Sequence, residues 1–138
     1  APDAASWGES LGEAGDYVAV FAGWHHGEKF PGVAEINAKH QEEFGRPADI
    51  LVGPAYACVQ ILADAITRAG VLDRDAIRDA LAETEMMTVI GPVTSNADGT
   101  GNVLNPLVQW LNGKMELVWP LDQKTAKFVF PAPPFDQR

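Results

Sequence analysis

Histidine and cysteine most often carry nucleophilic or metal chemistry in proteins, and neither forms a recognisable site in this chain. His25 and His26 are adjacent, Glu28 follows closely, and His40 lies further along. Adjacent side chains in an extended segment point to opposite sides, so neighbouring histidines rarely bind one metal ion. The single cysteine, Cys58, lies in an apolar helical pattern with no motif that would place a base beside it. We therefore predict no catalytic residue, no metal site, no cofactor and no enzymatic activity.

Three aromatic residues are the best candidates for binding a small molecule. Trp24 directly follows a strand-like run, where an indole could stack on a ligand and donate one hydrogen bond. Tyr56 stands near the start of a long helical pattern, where a phenol and free backbone N–H groups could face a ligand. Trp7 precedes the first predicted strand. The structural alternative stays open for each: a packing tryptophan at a strand end, or a core aromatic with its polar atom satisfied.

The elements that would position these residues follow from periodicity and turn chemistry. The order is a strand, three helices and then mostly strands. The predicted elements are a loop over 1–16, a strand over 17–22, helices over 31–44, 53–70 and from 73, short strands over 87–90 and 92–94, and a hairpin over 107–119. The first strand lacks clean alternation, which is typical of a strand covered on both faces in a parallel sheet. No sheet partner for it is apparent nearby. The hairpin contains Asn112-Gly113, a pair that favours a type I′ turn.

The helix over 53–70 has the strongest pattern in the chain. Pro54 suits a first helical turn and Gly70 suits the left-handed position that ends a helix. Apolar residues cover most of its surface and leave one narrow polar stripe, Gln60, Asp64, Thr67 and Arg68. Such a pattern predicts a helix that is mostly buried.

Composition excludes some classes of partner. The chain has 138 residues and a formal charge of −9, and nearly half of its residues are hydrophobic. Nucleic acid binding requires clustered Lys and Arg, so a nucleic acid partner is not expected. No apolar run approaches the length of about 20 residues that a membrane helix needs. The first residues show no signal-peptide pattern, and they open without a methionine, as if inside a loop, so we expect the natural beginning to lie elsewhere.

An ordered set of short motifs resembles the periplasmic branched-chain amino acid-binding proteins, the type I solute-binding components of ABC importers. The set covers nearly the whole chain, although no single motif in it is specific. The matching segments are Trp24, Pro31–Val33, Phe44–Pro47, Tyr56–Ile66 with Ala69-Gly70, Asp73–Leu81, Thr88–Thr94, Asp98-Gly99, the hairpin through Asn112-Gly113 to Pro120, and Phe130–Pro133. Ser95 departs from the pattern, because many members carry an aromatic residue there.

The resemblance implies an α/β chain that is part of a two-lobe type I periplasmic binding protein fold, with parallel sheets flanked by helices and a late β-hairpin. Members are more than twice as long, so the chain is expected to be the C-terminal portion of a longer protein. Residues 1–52 and 105–138 would belong to the C-terminal lobe, and residues 53–104 to the other lobe. Tyr56, Trp24 and Trp7 would be the ligand-binding residues.

The implied function is the extracytoplasmic, periplasmic solute-binding component of an ABC importer. Its partners would be a membrane permease and a small ligand, either an amino acid, a related amide or an aromatic acid, held by closure of two lobes. The alternative is a cytosolic ligand-sensing regulatory domain with the same fold. Because the first strand would lack neighbours, the chain by itself is expected to self-associate.

Overall fold

The computed structural model describes residues 2–137 and shows a mixed α/β architecture, as predicted. The helices are α1 (Ser6–Leu11), α2 (Val33–Phe44), α3 (Val52–Ala69) and α4 (Arg74–Ala82). The strands are β1 (Ala19–Phe21), β2 (Glu85–Thr88), β3 (Gly91–Ser95), β4 (Gly101–Asn102), β5 (Leu107–Leu111) and β6 (Lys114–Trp119). Short 3₁₀ turns cover Gly12–Gly15 and Phe135–Gln137.

The ends of the central helices follow the capping signals in the sequence. Gly70 ends α3 with a φ of 66° and donates its N–H to the Ile66 carbonyl. The Asp73 carboxylate begins α4 by accepting hydrogen bonds from the N–H groups of Asp75 and Ala76. Among the described residues no single helix is long and apolar enough to cross a membrane. Only α3 and α4 taken together reach that length and composition, and they are bent by 114° at their break.

The late hairpin is confirmed. Its strands β5 and β6 pair in antiparallel fashion across Asn112 and Gly113, whose φ angles of 53° and 69° are those of a type I′ turn. The Asp16 carboxylate accepts hydrogen bonds from both turn amides, at 2.6 Å from Asn112 N and 2.8 Å from Gly113 N. The hairpin is therefore tied to the segment that leads into β1.

The expectation that the first strand lacks a sheet partner within the chain is wrong, while parallel neighbours from the rest of a longer protein stay a prediction. The described strands form two antiparallel sheets in the orders β1-β5-β6 and β2-β3-β4, so β1 does have a partner, in β5. Strand β1 is also shorter than predicted and is not covered on both faces, since the Phe21 side chain is 68% exposed. The pairing joins residues more than 80 positions apart, and a local pattern carries no information about it.

The predicted N-terminal loop is also partly wrong, because Ser6–Leu11 forms helix α1. This helix is held by tertiary contacts. A β-carbon at Gly8 would overlap the Trp110 ring, so the helix backbone lies directly on that indole. The segment has too little apolar periodicity to be recognised as a helix by sequence pattern alone.

Two buried clusters hold the elements together. The larger cluster joins the segment after β1 to α2, α3 and the β2–β3 turn; it comprises Trp24, Val33, Ala48, Ala57, Val89, Ile90 and Val93. The smaller one lies on the β1-β5-β6 sheet and comprises Ala22, Val108 and Leu117. The predicted lobe boundary between residues 52 and 53 passes through the larger cluster. That boundary stays a prediction, and this packing does not favour it.

Helix α3 is turned opposite to the expected arrangement. Two residues of its polar stripe bond to other parts of the chain: Gln60 accepts from the Val89 N–H, and the Arg68 guanidinium donates to the Ala80 carbonyl. The buried residues of the helix are the small ones Gly53, Ala57 and Ala65. Its apolar side faces outward, with Val59 66% exposed and Leu62 46% exposed. The prediction of a mostly buried helix is therefore wrong for the described residues.

Candidate ligand-binding site

The Trp24 side chain packs against the first turn of α3 and is fully buried, with an exposed fraction of 0%. Its indole Nε1–H donates to the Val89 carbonyl at 2.9 Å. Gly53 lies directly on the ring, so closely that a β-carbon at Gly53 would overlap it, with the indole Cδ1 at 2.6 Å. This is the packing alternative that the sequence left open. Within this structure Trp24 holds the first turn of α3 in place and has no surface to offer a ligand.

Tyr56 lies one turn further along α3 and is half exposed. It lines a small pocket of about 100 Å³ between α2 and α3, together with Gly32, Glu35, Ile36, Lys39, Gln60 and Val89. Gln60 forms part of the pocket wall and is fixed by its bond from the Val89 N–H, at 3.1 Å. The Val89 carbonyl also accepts a hydrogen bond from the Trp24 indole. Hydrogen bonds through Val89 therefore link the buried indole to Gln60 in the pocket wall.

The Tyr56 pocket carries both signs of charge beside a phenol. Lys39 Nζ and Glu35 Oε1 lie 2.9 Å apart on α2. The hydrogen bond that Lys39 donates to Glu35 lowers the pKa of Glu35 and raises the pKa of Lys39, and Tyr56 makes a smaller contribution to the pKa of Lys39. An ammonium and a phenol suit a carboxylate ligand group, and a carboxylate suits an amine.

Trp7 lies elsewhere, in α1. Its Nε1–H donates to the Gly15 carbonyl at 3.0 Å, and its ring packs over Gly15. In the part of the chain that the structure describes, Trp7 lines neither the Tyr56 pocket nor the larger pocket beside the hairpin. The structure therefore brings Trp24 and Tyr56 to the same end of α3 and leaves Trp7 apart.

The sequence pattern missed the larger pocket, which has a volume of about 550 Å³. Residues from α1, from the loop after β1, from 46–50 and from the hairpin line it, among them His25, His26, Ile50, Trp110 and Met115. The adjacent histidines were the signal in the sequence. Their rings stack at 4.3 Å, an arrangement that is not expected of neighbours in an extended segment. Among residues 2–137 no group of three or more His, Cys, Asp and Glu side chains is placed to hold a metal ion.

No protein-family model matches the sequence. The leucine-binding protein LivK from Thermotoga maritima superposes with a TM-score of 0.71 over 83% of this chain, at 24% identity, and the match covers 33% of LivK. An ABC-type branched-chain amino acid transporter from Rhodopseudomonas palustris superposes with a TM-score of 0.60 over 91% of this chain, at 16% identity and 32% of its own length. This chain carries part of a type I periplasmic binding protein fold.

The resemblance inferred from the ordered motifs is thus confirmed at the level of fold. The chain spans about a third of the length of the solved structures that it matches. A fold alone does not determine a ligand, so the residues of this chain decide what it can bind.

The loop after β1 contains a buried polar network. The Gly27 N–H donates to His25 Nδ1 at 3.0 Å, so His25 carries its proton on Nε2 and donates it to the Met115 carbonyl at 3.1 Å. Burial, with the neighbouring His26, lowers the pKa of His25 to about 4. Burial also lowers the pKa of His26, whose Nδ1 donates to the Ala48 carbonyl. Both rings are therefore neutral at neutral pH.

Glu28 is the least satisfied group of this network. Its Oε2 accepts from the His25 N–H at 3.1 Å, whereas its buried Oε1 has no hydrogen-bond partner among the described residues. Burial raises the pKa of Glu28 to about 7. Ionisation of this carboxyl therefore works against folding near and above neutral pH.

Glu28→Gln should change how stability depends on pH. The folded-state pKa of Glu28, about 7, lies above the ordinary value of 4.5. As pH rises between these values, the carboxyl ionises in the unfolded state while it stays protonated in the folded state, so the free energy of unfolding falls over that window. The change in the free energy of unfolding caused by Glu28→Gln should be more stabilising at pH 8 than at pH 5, by about 2 kcal/mol. Urea unfolding of the full-length protein at both pH values measures this.

The matched control for this prediction is Glu43→Gln, at an exposed carboxylate on α2. It should have the same small effect at both pH values. An effect of Glu28→Gln that does not differ between pH 5 and pH 8 would contradict the assignment of a raised pKa to Glu28.

Proposed function

We propose that the full-length protein is a solute-binding component of an ABC importer. In this proposal it acts in the periplasm without catalysis, and it delivers a small ligand to a membrane permease. The ligand is an amino acid, a related amide or an aromatic acid, and two lobes close around it. The fold supports this proposal, because both matched structures carry it and their names give leucine binding and branched-chain amino acid transport.

The observation that carries the proposal is the placement of Tyr56 beside the Glu35–Lys39 pair. The pocket presents a cation, an anion and a phenol within one small volume. These are the groups that complement the carboxylate and ammonium of an amino acid. In this proposal Tyr56 contacts the ligand directly, and Trp24 acts by holding the first turn of α3. A contact between Trp7 and the ligand stays a prediction. Trp7 does not line this pocket, so the pocket does not support that prediction.

Tyr56→Ala should weaken ligand binding by the full-length protein by about 1–3 kcal/mol, the usual scale for the loss of an aromatic anchor. Isothermal titration calorimetry with leucine, leucinamide and benzoate tests the three ligand classes separately. The protein should bind at least one of them, and Tyr56→Phe should lose part of the affinity because it lacks the hydroxyl.

Arg78→Ala is the control, because Arg78 is an exposed residue of α4 that does not line the pocket. It should bind as the unmodified protein does. Mass spectrometry of small molecules carried through purification identifies a ligand outside the panel. If no compound binds and none is carried through, the proposed function is wrong. If a ligand binds equally well to Tyr56→Ala, the assigned site is wrong.

A further inference from the structure

The turn of the late hairpin is a pair of residues, Asn112 and Gly113, that is prone to spontaneous deamidation in proteins. In this reaction the backbone nitrogen of the following residue attacks the side-chain Cγ of the asparagine. A following glycine favours the attack, because it has no side chain that hinders the approach. Asn112 is exposed, and its side-chain amide makes no hydrogen bond within the described part of the chain. The residue types therefore make this turn a candidate modification site.

The conformation of the turn keeps the two reacting atoms apart. The φ angles of Asn112 and Gly113, 53° and 69°, are those of a type I′ turn. In such a turn the first central residue has a ψ of about +30°, the mirror image of the type I value. At this ψ the Gly113 nitrogen points away from the Asn112 Cβ about the Cα–C bond, whereas ring closure requires the two atoms to be nearly eclipsed. Reaction therefore requires the turn to leave its folded conformation.

The Asp16 carboxylate holds the turn in this unreactive conformation. Its Oδ2 accepts from the Asn112 N–H at 2.6 Å, and its Oδ1 accepts from the Gly113 N–H at 2.8 Å. Asp16 is buried, and hydrogen bonds from backbone amides to a carboxylate are among the strong ones in proteins. We call this pair of bonds the Asp16 clamp. Because one of its two donors is the Gly113 N–H, the clamp binds the attacking nitrogen itself.

The backbone beside Asp16 is also held against the hairpin. The Tyr17 N–H donates to the Trp110 carbonyl at 2.7 Å, and the Trp110 N–H donates to the Val18 carbonyl at 3.0 Å. Tyr17 has a φ of 67°, in the left-handed region that is uncommon for residues other than glycine. Such a conformation persists only where the surrounding structure imposes it. The segment that carries Asp16 is therefore placed by the hairpin, and the clamp and the hairpin depend on each other.

We propose that Asn112 is a site of spontaneous deamidation and that the Asp16 clamp controls its rate. When the turn opens, the Gly113 nitrogen forms a bond to Cγ of Asn112 and the bond from Cγ to the side-chain nitrogen breaks. The proton of the Gly113 nitrogen reaches the leaving group through solvent, so ammonia departs and a cyclic succinimide remains. Water then adds to one carbonyl of the ring and opens it to aspartate or isoaspartate. Water is the only co-reactant, and the reaction does not depend on the proposed function.

The isoaspartate product does not restore the Asp16 clamp. In isoaspartate the main chain runs through Cβ and Cγ, which lengthens the backbone by one methylene inside a two-residue turn. The N–H groups of residues 112 and 113 then no longer have the spacing that lets both of them reach the two oxygens of Asp16. The reaction therefore converts a transient opening of the turn into a permanent loosening between the hairpin and the segment before β1.

The rate of deamidation in the native and the unfolded full-length protein tests the site. Both samples are kept in mildly alkaline buffer made with heavy-oxygen water, the unfolded one in guanidinium chloride. Mass spectrometry follows the uptake of heavy oxygen by the peptide that contains Asn112. The reaction should be slower in the native protein by about 100-fold or more, because it proceeds only from an open state. Equal rates in the two states, or no product in the unfolded protein, would overturn the proposal.

Asp16→Asn tests the control by the clamp, because it replaces one acceptor oxygen with a donor group at almost unchanged volume. Deamidation of Asn112 in the folded variant should be faster by about 10-fold or more, the scale for losing a hydrogen bond to a charged group. Glu13→Gln is the matched control, since Glu13 is an exposed acid in the same segment and its side chain has no described bond to the turn. It should leave the rate unchanged.

Circular dichroism establishes that both variants are folded during the incubation. If Asp16→Asn does not fold, Asp16→Glu takes its place, because it keeps the charge but displaces both oxygens from the turn amides. A folded Asp16 variant that deamidates no faster than Glu13→Gln shows that the clamp does not control the reaction, and that part of the proposal is then wrong.

Asn112→Gly tests the consequence for the fold. This variant cannot deamidate at the turn, and glycine suits the left-handed conformation of position 112. The unmodified protein is incubated until most of its Asn112 has reacted, and the variant is incubated for the same time. The midpoint of urea unfolding should fall in the unmodified protein and stay constant in Asn112→Gly. If the midpoint of the unmodified protein falls no further than that of the variant, deamidation does not loosen the hairpin and the proposed consequence is wrong.

Discussion

Replacing Trp24 with alanine should lower the free energy of unfolding of the full-length protein by about 3–5 kcal/mol, the range for deleting a large buried aromatic side chain. The indole is fully buried in the larger cluster, and its Nε1–H satisfies the Val89 carbonyl. The substitution removes apolar contacts, leaves a cavity and leaves a buried carbonyl unpaired. Urea unfolding followed by circular dichroism measures the loss.

Trp119→Ala is the control, because Trp119 lies at the end of the late hairpin and is 43% exposed. It should cost much less than Trp24→Ala. If Trp24→Ala leaves stability unchanged but abolishes ligand binding, Trp24 contacts the ligand directly and its role as a packing residue is wrong.

Gly53→Ala should destabilise the full-length protein by about 3 kcal/mol, as overpacking of a well-packed core does. Replacing an internal helical glycine with alanine is ordinarily stabilising by about 0.5–1 kcal/mol. At Gly53 the sign should reverse, because the new β-carbon would overlap the Trp24 ring, which is fixed by its bond to Val89. The ring is fully buried, so it cannot move outward into solvent to make room.

Gly23→Ala provides the matched control at the same contact region. Its added β-carbon would meet the nearest atom, Cγ of Pro54, at an ordinary distance of 3.5 Å. The measurement is the midpoint of urea unfolding for both variants. A Gly53→Ala protein as stable as the Gly23→Ala protein would show that the first turn of α3 does not rest on Trp24 as described.

The candidate site was found from the sequence only in part. The position of Tyr56 near the start of a helix was visible in the pattern, and the structure places it in a pocket. The partners Glu35 and Lys39 were not singled out, because an i,i+4 pair of opposite charges on an exposed helix is a common surface feature. Only the approach of α2 to α3 brings that pair to Tyr56. The position of Trp24 after a strand likewise did not show whether its side chain would be buried.

The sequence by itself determined the local features of this protein. Gly70 and Asp73 mark helix ends, and Asn112-Gly113 marks the type I′ turn, because each depends on backbone conformations and bonds within a few residues. The ordered motifs also identified the fold, although no short motif was specific.

Tertiary structure alone decided which faces and strands meet. Helix α3 is apolar over most of its surface, so periodicity could not say which side faces the protein. The bonds made by Gln60 and Arg68 across the chain settle its orientation. No partner for strand β1 was apparent in the sequence, but it pairs with β5 because the hairpin returns beside it. Both outcomes depend on contacts between residues far apart in sequence, and the energy of such contacts is absent from any local pattern.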